Sequence, residues 1–81
     1  MKIFVDFNNA DSKGRIRLNT DGTLKDIKKK EIKLEIGLEI ILSDYDEFET
    51  LGVIEFSLEE KIWVARIDWN ALTHSSPIAQ V

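Results

Sequence analysis

Residues 51–69 constrain the fold of this chain more than any other stretch. Strand-forming residues (Val, Ile, Phe and Trp) alternate there with polar ones, on both sides of a short polar segment. An apolar–polar alternation with a period of two predicts half-buried strands. The connecting residues 57–61 contain no glycine, so a loop of four or five residues is expected rather than a two-residue turn. The pattern predicts a β-hairpin.

The second arm of this hairpin carries the main apolar face. Its residues on that face include both tryptophans of the chain: Trp63, Ala65, Ile67 and Trp69. Two buried indoles would remove on the order of 150–250 Å² each from water. An isolated hairpin is marginally stable, so other strands must cover this face. We expect the covering residues to be Ile3, Val5, Ile16, Leu38 and Ile40.

The length of the chain predicts one small domain. With 81 residues, we expect a domain over residues 1–73 and a flexible tail over 74–81. A domain this short buries only about 60–65% of the surface of its unfolded chain, so no deep pocket is expected. Cysteine is absent, which excludes disulfides and thiolate metal sites. No apolar run reaches the roughly 20 residues of a membrane span, and we expect a cytoplasmic protein without membrane contact.

The rest of the chain predicts three further strands and one short helix. Strands are expected at residues 2–7, 15–19 and 38–43, with a helix from residue 24 to about 31. Thr23 is the expected N-cap, because Asp26 follows three residues later, and Leu24 and Ile27 are expected to face the core. Residues 32–42 fit either one long strand or a strand that begins after a bend at Gly37, and the bend is favoured because glycine weakens a strand interior.

This order predicts a mainly β (α+β) fold: a small five-stranded SH3-like barrel with one short helix between strands two and three. The run over residues 34–42, followed by residues 52–54, resembles the way SH3-like barrels enter their central meander. A second resemblance covers nearly the whole chain apart from the tail. RIRLNTDGTLKDI, GLEIIL, GVIEF and WVARIDWNAL resemble a family of short bacterial proteins, chiefly cyanobacterial, without an established activity. That resemblance implies a compact domain and no particular chemistry.

Charge is unevenly distributed along the chain. Residues 1–33 hold nine Lys/Arg and five Asp/Glu, or +4, and residues 34–81 hold two Lys/Arg and ten Asp/Glu, or −8, which sum to the net charge of −4. The asymmetry could serve self-association or a charged partner. Alternatively, the two halves lie side by side and partly neutralise each other.

Two sets of cationic residues are candidate binding residues. Lys28, Lys29 and Lys30 belong to a basic run over residues 25–33 that could contact RNA or DNA phosphates. The structural alternative is stabilisation by the helix macrodipole, about 0.3–1 kcal/mol for each cation in the last turn. No aromatic residue lies near the run in the sequence to stack on bases. The second set, Arg15, Arg17 and Arg66, either forms a polar binding face with Asp68 or pairs with it structurally, and we favour the pairing.

Other features exclude or favour functional classes. Residues 44–49 form an acidic connection, which is either a solvated loop or a cation site. Nucleophile, metal and phosphate-loop motifs are absent, and the single histidine has no partner at a motif spacing. Four aromatic residues are expected to be partly exposed and could line a partner groove: Phe4, Tyr45, Phe48 and Trp69.

We therefore expect a non-catalytic protein–protein interaction module, without cofactor or metal, that binds another protein or itself. The alternative is an RNA- or DNA-binding small barrel that uses the basic run.

Overall fold

The computed structural model describes residues 1–74 as strands around one short helix. The elements in chain order are β1 (Lys2–Phe4), β2 (Ile16–Arg17), α1 (Asp21–Lys29), β3 (Glu39–Ser43), β4 (Phe48–Ser57), β5 (Ile62–Ile67), a 3₁₀ helix (Trp69–Ala71) and β6 (Thr73–His74). The strands pair in the order β1-β3-β4-β5-β2, with β6 added to β4. They form a half-barrel with one helix, which confirms the predicted small, mainly β (α+β) barrel-like fold, and the likeness to SH3 barrels stays a prediction.

Strand β4 is paired along both of its edges. Its residues 49–53 pair antiparallel with β3, and its residues 52–57 pair antiparallel with β5. Four residues, 58–61, connect β4 to β5, so the hairpin and its loop length are confirmed. Ser57 closes this loop, because its hydroxyl accepts a hydrogen bond from the Glu60 N–H (3.1 Å) and its carbonyl accepts one from the Lys61 N–H (2.7 Å).

Strand β1 joins the sheet in parallel with β3, which the sequence did not predict. The pairs are Lys2 with Ile41, Ile3 with Leu42 and Phe4 with Ser43. Parallel pairing requires a long crossover, and here β2, α1 and the following segment supply it. Alternation of apolar residues reports which face of a strand is buried but carries no information about strand direction.

The core lies on the concave face of the sheet. Its buried apolar residues are Ile3, Val5, Ile16, Leu18, Ile40, Leu42, Ile54 and Ala65. Trp63, Ile67 and Leu38 pack against this cluster, which confirms the predicted packing of the second arm for those residues. The prediction that Trp69 packs on the core is wrong, whereas the prediction that it is partly exposed is confirmed. Its side chain is 45% exposed, because the chain leaves β5 after Ile67 and turns into the 3₁₀ helix.

Helix α1 begins three residues earlier than the sequence predicts. The N-cap is Thr20, whose hydroxyl accepts a hydrogen bond from the Thr23 N–H at 3.3 Å. Thr23 is fully buried, whereas Leu24 is half-exposed, so the predictions of a Thr23 cap and a core-facing Leu24 are wrong. Gly22 lies in the first turn against the Phe4 ring, where an added Cβ would stand 2.9 Å from Phe4 Cε2.

The bend at Gly37 is confirmed. Gly37 has a φ of +92°, a left-handed conformation that glycine adopts without strain. Its N–H donates to the Ile54 carbonyl (2.8 Å), and the Ile54 N–H donates to the Leu38 carbonyl (2.8 Å). The segment therefore turns onto β4, and β3 begins after this turn.

The final described strand, β6, includes His74, the first residue of the predicted tail. The remainder of that predicted tail, residues 75–81, lies outside the described residues. Within residues 1–74, no helix has the length and apolar character needed to cross a membrane.

Replacing Gly52 by alanine tests how tightly β4 packs. A Cβ at Gly52 would lie 2.8 Å from Leu42 Cδ1 and 3.4 Å from Ala65 Cβ. Leu42 is fully buried and has little room to move, so we expect Gly52→Ala to lower the free energy of unfolding by about 1–3 kcal/mol in urea denaturation. Leu51→Ala, at a half-exposed neighbour, should change it by only about 0.5 kcal/mol. Equal losses for both variants would contradict tight packing at Gly52.

Candidate functional site

Arg15 and Arg17 are held by carboxylates rather than presented to solvent. The Arg15 Nε–H donates to Asp11 Oδ2 (2.9 Å), and its Nη1 donates to Glu55 Oε1 (3.2 Å). Arg17 contacts Glu60 through two parallel hydrogen bonds of 2.7 and 2.8 Å. Its remaining Nη1 donates to the Ala10 carbonyl at 2.9 Å. The bidentate pair with Glu60 fixes the guanidinium plane of Arg17, and Arg15 bridges two carboxylates, so both arginines are structural cross-links.

Arg66 completes this network through Glu55. Its Nε donates to Glu55 Oε2 at 2.8 Å, so Glu55 bridges Arg66 and Arg15. The hydrogen bond from Arg66, assisted by Arg15, lowers the pKa of Glu55 below its ordinary value of 4.5. The predicted pairing of Asp68 with an arginine is wrong: Asp68 Oδ1 instead accepts the Asn70 N–H (2.9 Å) at the start of the 3₁₀ helix.

The arginine network covers an apolar residue. Strand register places Val64 beside Arg17 on β2 and Glu55 on β4, and directly paired residues point to the same face of a sheet. Val64 is fully buried although it lies on the face opposite the core. The aliphatic stems of arginines can shield apolar surface while their charged heads stay hydrated. We therefore assign Arg15, Arg17 and Arg66 a role in folding.

The ion pairs show how the fold accommodates the uneven distribution of charge along the sequence. Four of them join a cation from residues 1–33 to an anion from residues 34–81: Lys2–Glu49, Lys13–Glu59, Arg15–Glu55 and Arg17–Glu60. The two oppositely charged halves of the sequence therefore lie side by side and partly neutralise each other.

Lys30 is the one member of the predicted lysine triplet with an elaborate set of contacts. Its Nζ donates to the Lys2 carbonyl (2.6 Å), to Asp26 Oδ2 (3.1 Å) and to the Tyr45 hydroxyl (2.8 Å). Asp26 Oδ2 also accepts the Phe4 N–H at 2.8 Å. Two backbone groups on the outer edge of β1 are thereby satisfied by helix side chains. An occupied edge cannot pair with a further strand.

Tyr45 brings an aromatic ring to the basic run, contrary to what the sequence order indicates. The ammonium groups of Lys30 and Lys2 lie 5.3 and 5.7 Å from the centre of its ring, within cation–π range. The hydrogen bond to Tyr45 raises the pKa of Lys30, with a further contribution from Asp26. Tyr45 is 54% exposed, so one part of its ring remains open to solvent.

A shallow hollow lies between Tyr45 and helix α1. Its volume is about 320 Å³, and its lining residues are Phe4, Gly22, Lys25, Asp26, Lys29 and Tyr45. Lys25 and Lys29 are one helical turn apart and exposed, and neither forms an ion pair with another described residue. Two of the four aromatic residues expected to be exposed, Phe4 and Tyr45, therefore meet at one surface. Trp69 lies elsewhere, where its Nε1–H donates to the Gly14 carbonyl (2.9 Å).

A second, apolar groove lies at the hairpin end of the sheet. Phe56 and Trp63 pair across β4 and β5 with ring centroids 5.2 Å apart in an edge-to-face arrangement. The groove has a volume of about 340 Å³, and its lining residues are Leu18, Asn19, Leu24, Leu34, Phe56, Lys61, Ile62 and Trp63. The sequence did not predict this groove, because its apolar pattern assigned Leu24 and Trp63 to the core. The mixed polar and apolar neighbours of Leu24 in the sequence give no signal that it lines a groove.

The acidic connection is organised as a loop. Asp44 Oδ1 accepts the backbone N–H groups of Asp46, Glu47 and Phe48 at 3.0, 2.8 and 2.9 Å. Burial alone would raise the pKa of Asp44, but these backbone donors lower it below its ordinary value. One oxygen of this carboxylate is therefore already committed within the loop. Across residues 1–74, no group of three or more acidic or histidine side chains is arranged to hold a metal ion.

No protein-family model, curated protein or solved structure matches the chain. The resemblance to a family of short bacterial proteins therefore stays a prediction from the sequence.

Glu55→Gln tests the bridging carboxylate through pH. The folded state holds the pKa of Glu55 below 4.5, so its contribution to stability is present above that pH and is lost as pH falls through the lower folded pKa. At pH 7, we expect Glu55→Gln to lower the free energy of unfolding by about 1 kcal/mol or less. Between pH 6 and pH 3, the free energy of unfolding should fall less in Glu55→Gln than in the wild type. Urea unfolding at each pH measures both. A parallel decline in variant and wild type would contradict the bridging role.

Asp26→Ala tests the occupied edge of β1. The change leaves the Phe4 N–H without its acceptor, and an unsatisfied donor costs about 1–3 kcal/mol. We expect that loss in the free energy of unfolding, together with faster hydrogen exchange at the Phe4 amide. Asp26→Asn retains an acceptor oxygen and serves as the matched control, with a smaller loss. If both variants leave Phe4 exchange unchanged, Asp26 does not protect this edge.

Proposed function

We propose that this domain is a non-catalytic protein-binding module whose binding surface is the hairpin-end groove. The supporting observation is the solvent-accessible aromatic pair Phe56–Trp63, flanked by Leu24, which is 50% exposed. Large aromatic residues in a groove contribute much of the affinity at protein interfaces. Phe56 and Trp63 lie on the same strand face as the core residues Ile54 and Ala65, so a rigid sheet holds them in place.

The partner we propose is an acidic, amphipathic segment of another protein. Lys61 lines the groove, and Lys28 follows Leu24 by one helical turn, which places it on the same side of α1. Neither lysine forms an ion pair with a described residue. The two acidic residues of the hairpin loop pair with other cations, Glu59 with Lys13 and Glu60 with Arg17. An uncompensated positive rim around an apolar groove favours a partner with apolar anchors flanked by Asp or Glu.

The edges of the sheet argue for recognition by side chains rather than by strand addition. The outer edge of β1 is occupied by Asp26 and Lys30. On β2, the Arg17 N–H donates to the Asn9 carbonyl (2.9 Å), so the preceding loop covers that edge as well. A peptide that extends a sheet needs free backbone groups on an edge strand, and these two strands do not offer a continuous row.

The proposal also includes the two sequence predictions of an SH3-like mode of binding and a cytoplasmic location. SH3-like barrels bind peptides in aromatic-lined grooves, and Phe56 with Trp63 would play that part here. A cysteine-free chain suits a reducing compartment, so we place the interaction in the cytoplasm.

Selection from a random-peptide display library tests the proposed partner. We expect wild-type protein to enrich peptides that combine large apolar residues with Asp or Glu. These peptides should bind Leu24→Asp at least tenfold more weakly, because a carboxylate in an apolar groove is poorly solvated. Leu51→Asp is the matched control, since Leu51 is 53% exposed and Leu24 is 50% exposed, and it should bind like the wild type.

Three outcomes would contradict the proposal. Enriched peptides could be basic, or their binding could survive Leu24→Asp. Alternatively, analytical ultracentrifugation could show a dimer that Leu24→Asp dissociates, which would make a second copy of the chain the occupant of the groove. Circular dichroism of both variants confirms that they remain folded.

A further inference from the structure

Helix α1 divides the basic run between two surfaces. Lys28 lies on the side of Leu24 and the apolar groove, and Lys30 is engaged with Asp26 and Tyr45. Lys25 and Lys29 instead line the separate hollow that contains Tyr45 and Phe4. The nucleic-acid alternative from the sequence treated the run as one patch. Lys25 and Lys29 are the lysines of the run that line this hollow beside Tyr45 without an ion pair to another described residue.

Tyr45 is held in an unusual conformation that keeps its ring at this surface. Its φ is +57°, a left-handed backbone conformation that is rare for bulky residues and persists only where its surroundings enforce it. Ser43 Oγ accepts the Tyr45 N–H at 2.9 Å, and Lys30 Nζ donates to its hydroxyl at 2.8 Å. Tyr45 is thus held at its backbone N–H and at its hydroxyl while 54% of the residue stays exposed.

We propose that this hollow binds single-stranded nucleic acid, one or two nucleotides at a time. A base stacks on the Tyr45 ring, and the ammonium groups of Lys25 and Lys29 contact the adjoining phosphates. Sequence-independent binders of single strands combine these two elements, an aromatic platform and cations that follow the backbone. The site is separate from the apolar groove, so a partner protein and a nucleic acid can be bound at once.

The charges around the hollow determine how tightly it is expected to bind nucleic acid. The carboxylate of Asp26, which also lines the hollow, is paired with Lys30 and the Phe4 N–H. Asp46 and Glu47 are exposed in the neighbouring loop and repel phosphate. Two lysines therefore act against a net charge of −4, and binding is weak and sensitive to salt. With two phosphate contacts on a single strand, affinity falls about sevenfold between 50 and 200 mM NaCl.

Fluorescence anisotropy with 12-nucleotide oligouridylate and oligothymidylate at 50 mM NaCl tests the site. We expect binding of at least one of them, and the tighter one identifies RNA or DNA as the preferred strand. Lys25→Gln/Lys29→Gln should weaken binding at least fivefold. Lys13→Gln/Lys33→Gln removes the same charge from exposed lysines that lie outside both the hollow and the apolar groove, and should change affinity less than twofold.

Two variants of Tyr45 separate stacking from folding. Tyr45→Phe retains the ring and should bind within about twofold of the wild type. Tyr45→Asn removes the ring but tolerates the left-handed backbone, and should weaken binding at least fivefold. Several results would overturn the proposal: no binding of either strand at 50 mM NaCl, equal losses in the two lysine pairs, unchanged affinity in Tyr45→Asn, or equal affinity for a 12-base-pair duplex.

Discussion

The structure depends on the pairing of β4 along both of its edges. With β3 on one side and β5 on the other, this ten-residue strand joins the two halves of the half-barrel. A strand paired on both sides leaves few backbone groups to satisfy elsewhere, and the close approach of Leu42 to Gly52 shows how closely the core packs upon it. The strand also positions Phe56 in the apolar groove.

Charged residues in this domain act mainly as structural elements. The arginine network around Glu55 covers Val64 on the outer face, and Asp26 with Lys30 occupies the edge of β1. The arginine network joins opposite charges from distant parts of the chain, whereas Asp26 and Lys30 lie four residues apart and together contact β1. These two arrangements explain how a sequence with 32% charged residues surrounds a small core. They also explain how the outer edge of β1 is kept from pairing with another strand. Lys25, Lys28, Lys29 and Lys61, which form no ion pair with a described residue, are the cations that we associate with binding.

The hairpin, the bend at Gly37 and the short helix could be predicted from the sequence because each depends on local pattern or glycine chemistry. The parallel position of β1 could not, since alternation does not encode direction. Trp69 looked like a core residue because it continues the two-residue period of Trp63 and Ala65. That period ends at Ile67, where the chain turns into the 3₁₀ helix that Asp68 caps.

The candidate site was less predictable for a similar reason. Arg15, Arg17 and Arg66 were identified as possible binding residues, yet their partners Glu55 and Glu60 lie on β4 and in the hairpin loop, and only Asp11 is close to Arg15 in the sequence. Tyr45 lies 15 residues from Lys30 in the sequence, and only the fold brings its ring next to the basic run. Both surfaces that we assign to binding combine residues from separate elements, which a linear pattern does not bring together.

The two indole N–H signals in a ¹H–¹⁵N NMR titration test the central claim most directly. Trp63 lines the proposed groove, whereas Trp69 donates its indole N–H to Gly14 at another place on the surface. On titration with a display-selected acidic peptide, we expect the Trp63 indole signal to shift and the Trp69 signal to stay in place. A shift confined to Trp69, or to the arginine side chains around Glu55, would contradict the assignment of binding to the hairpin-end groove.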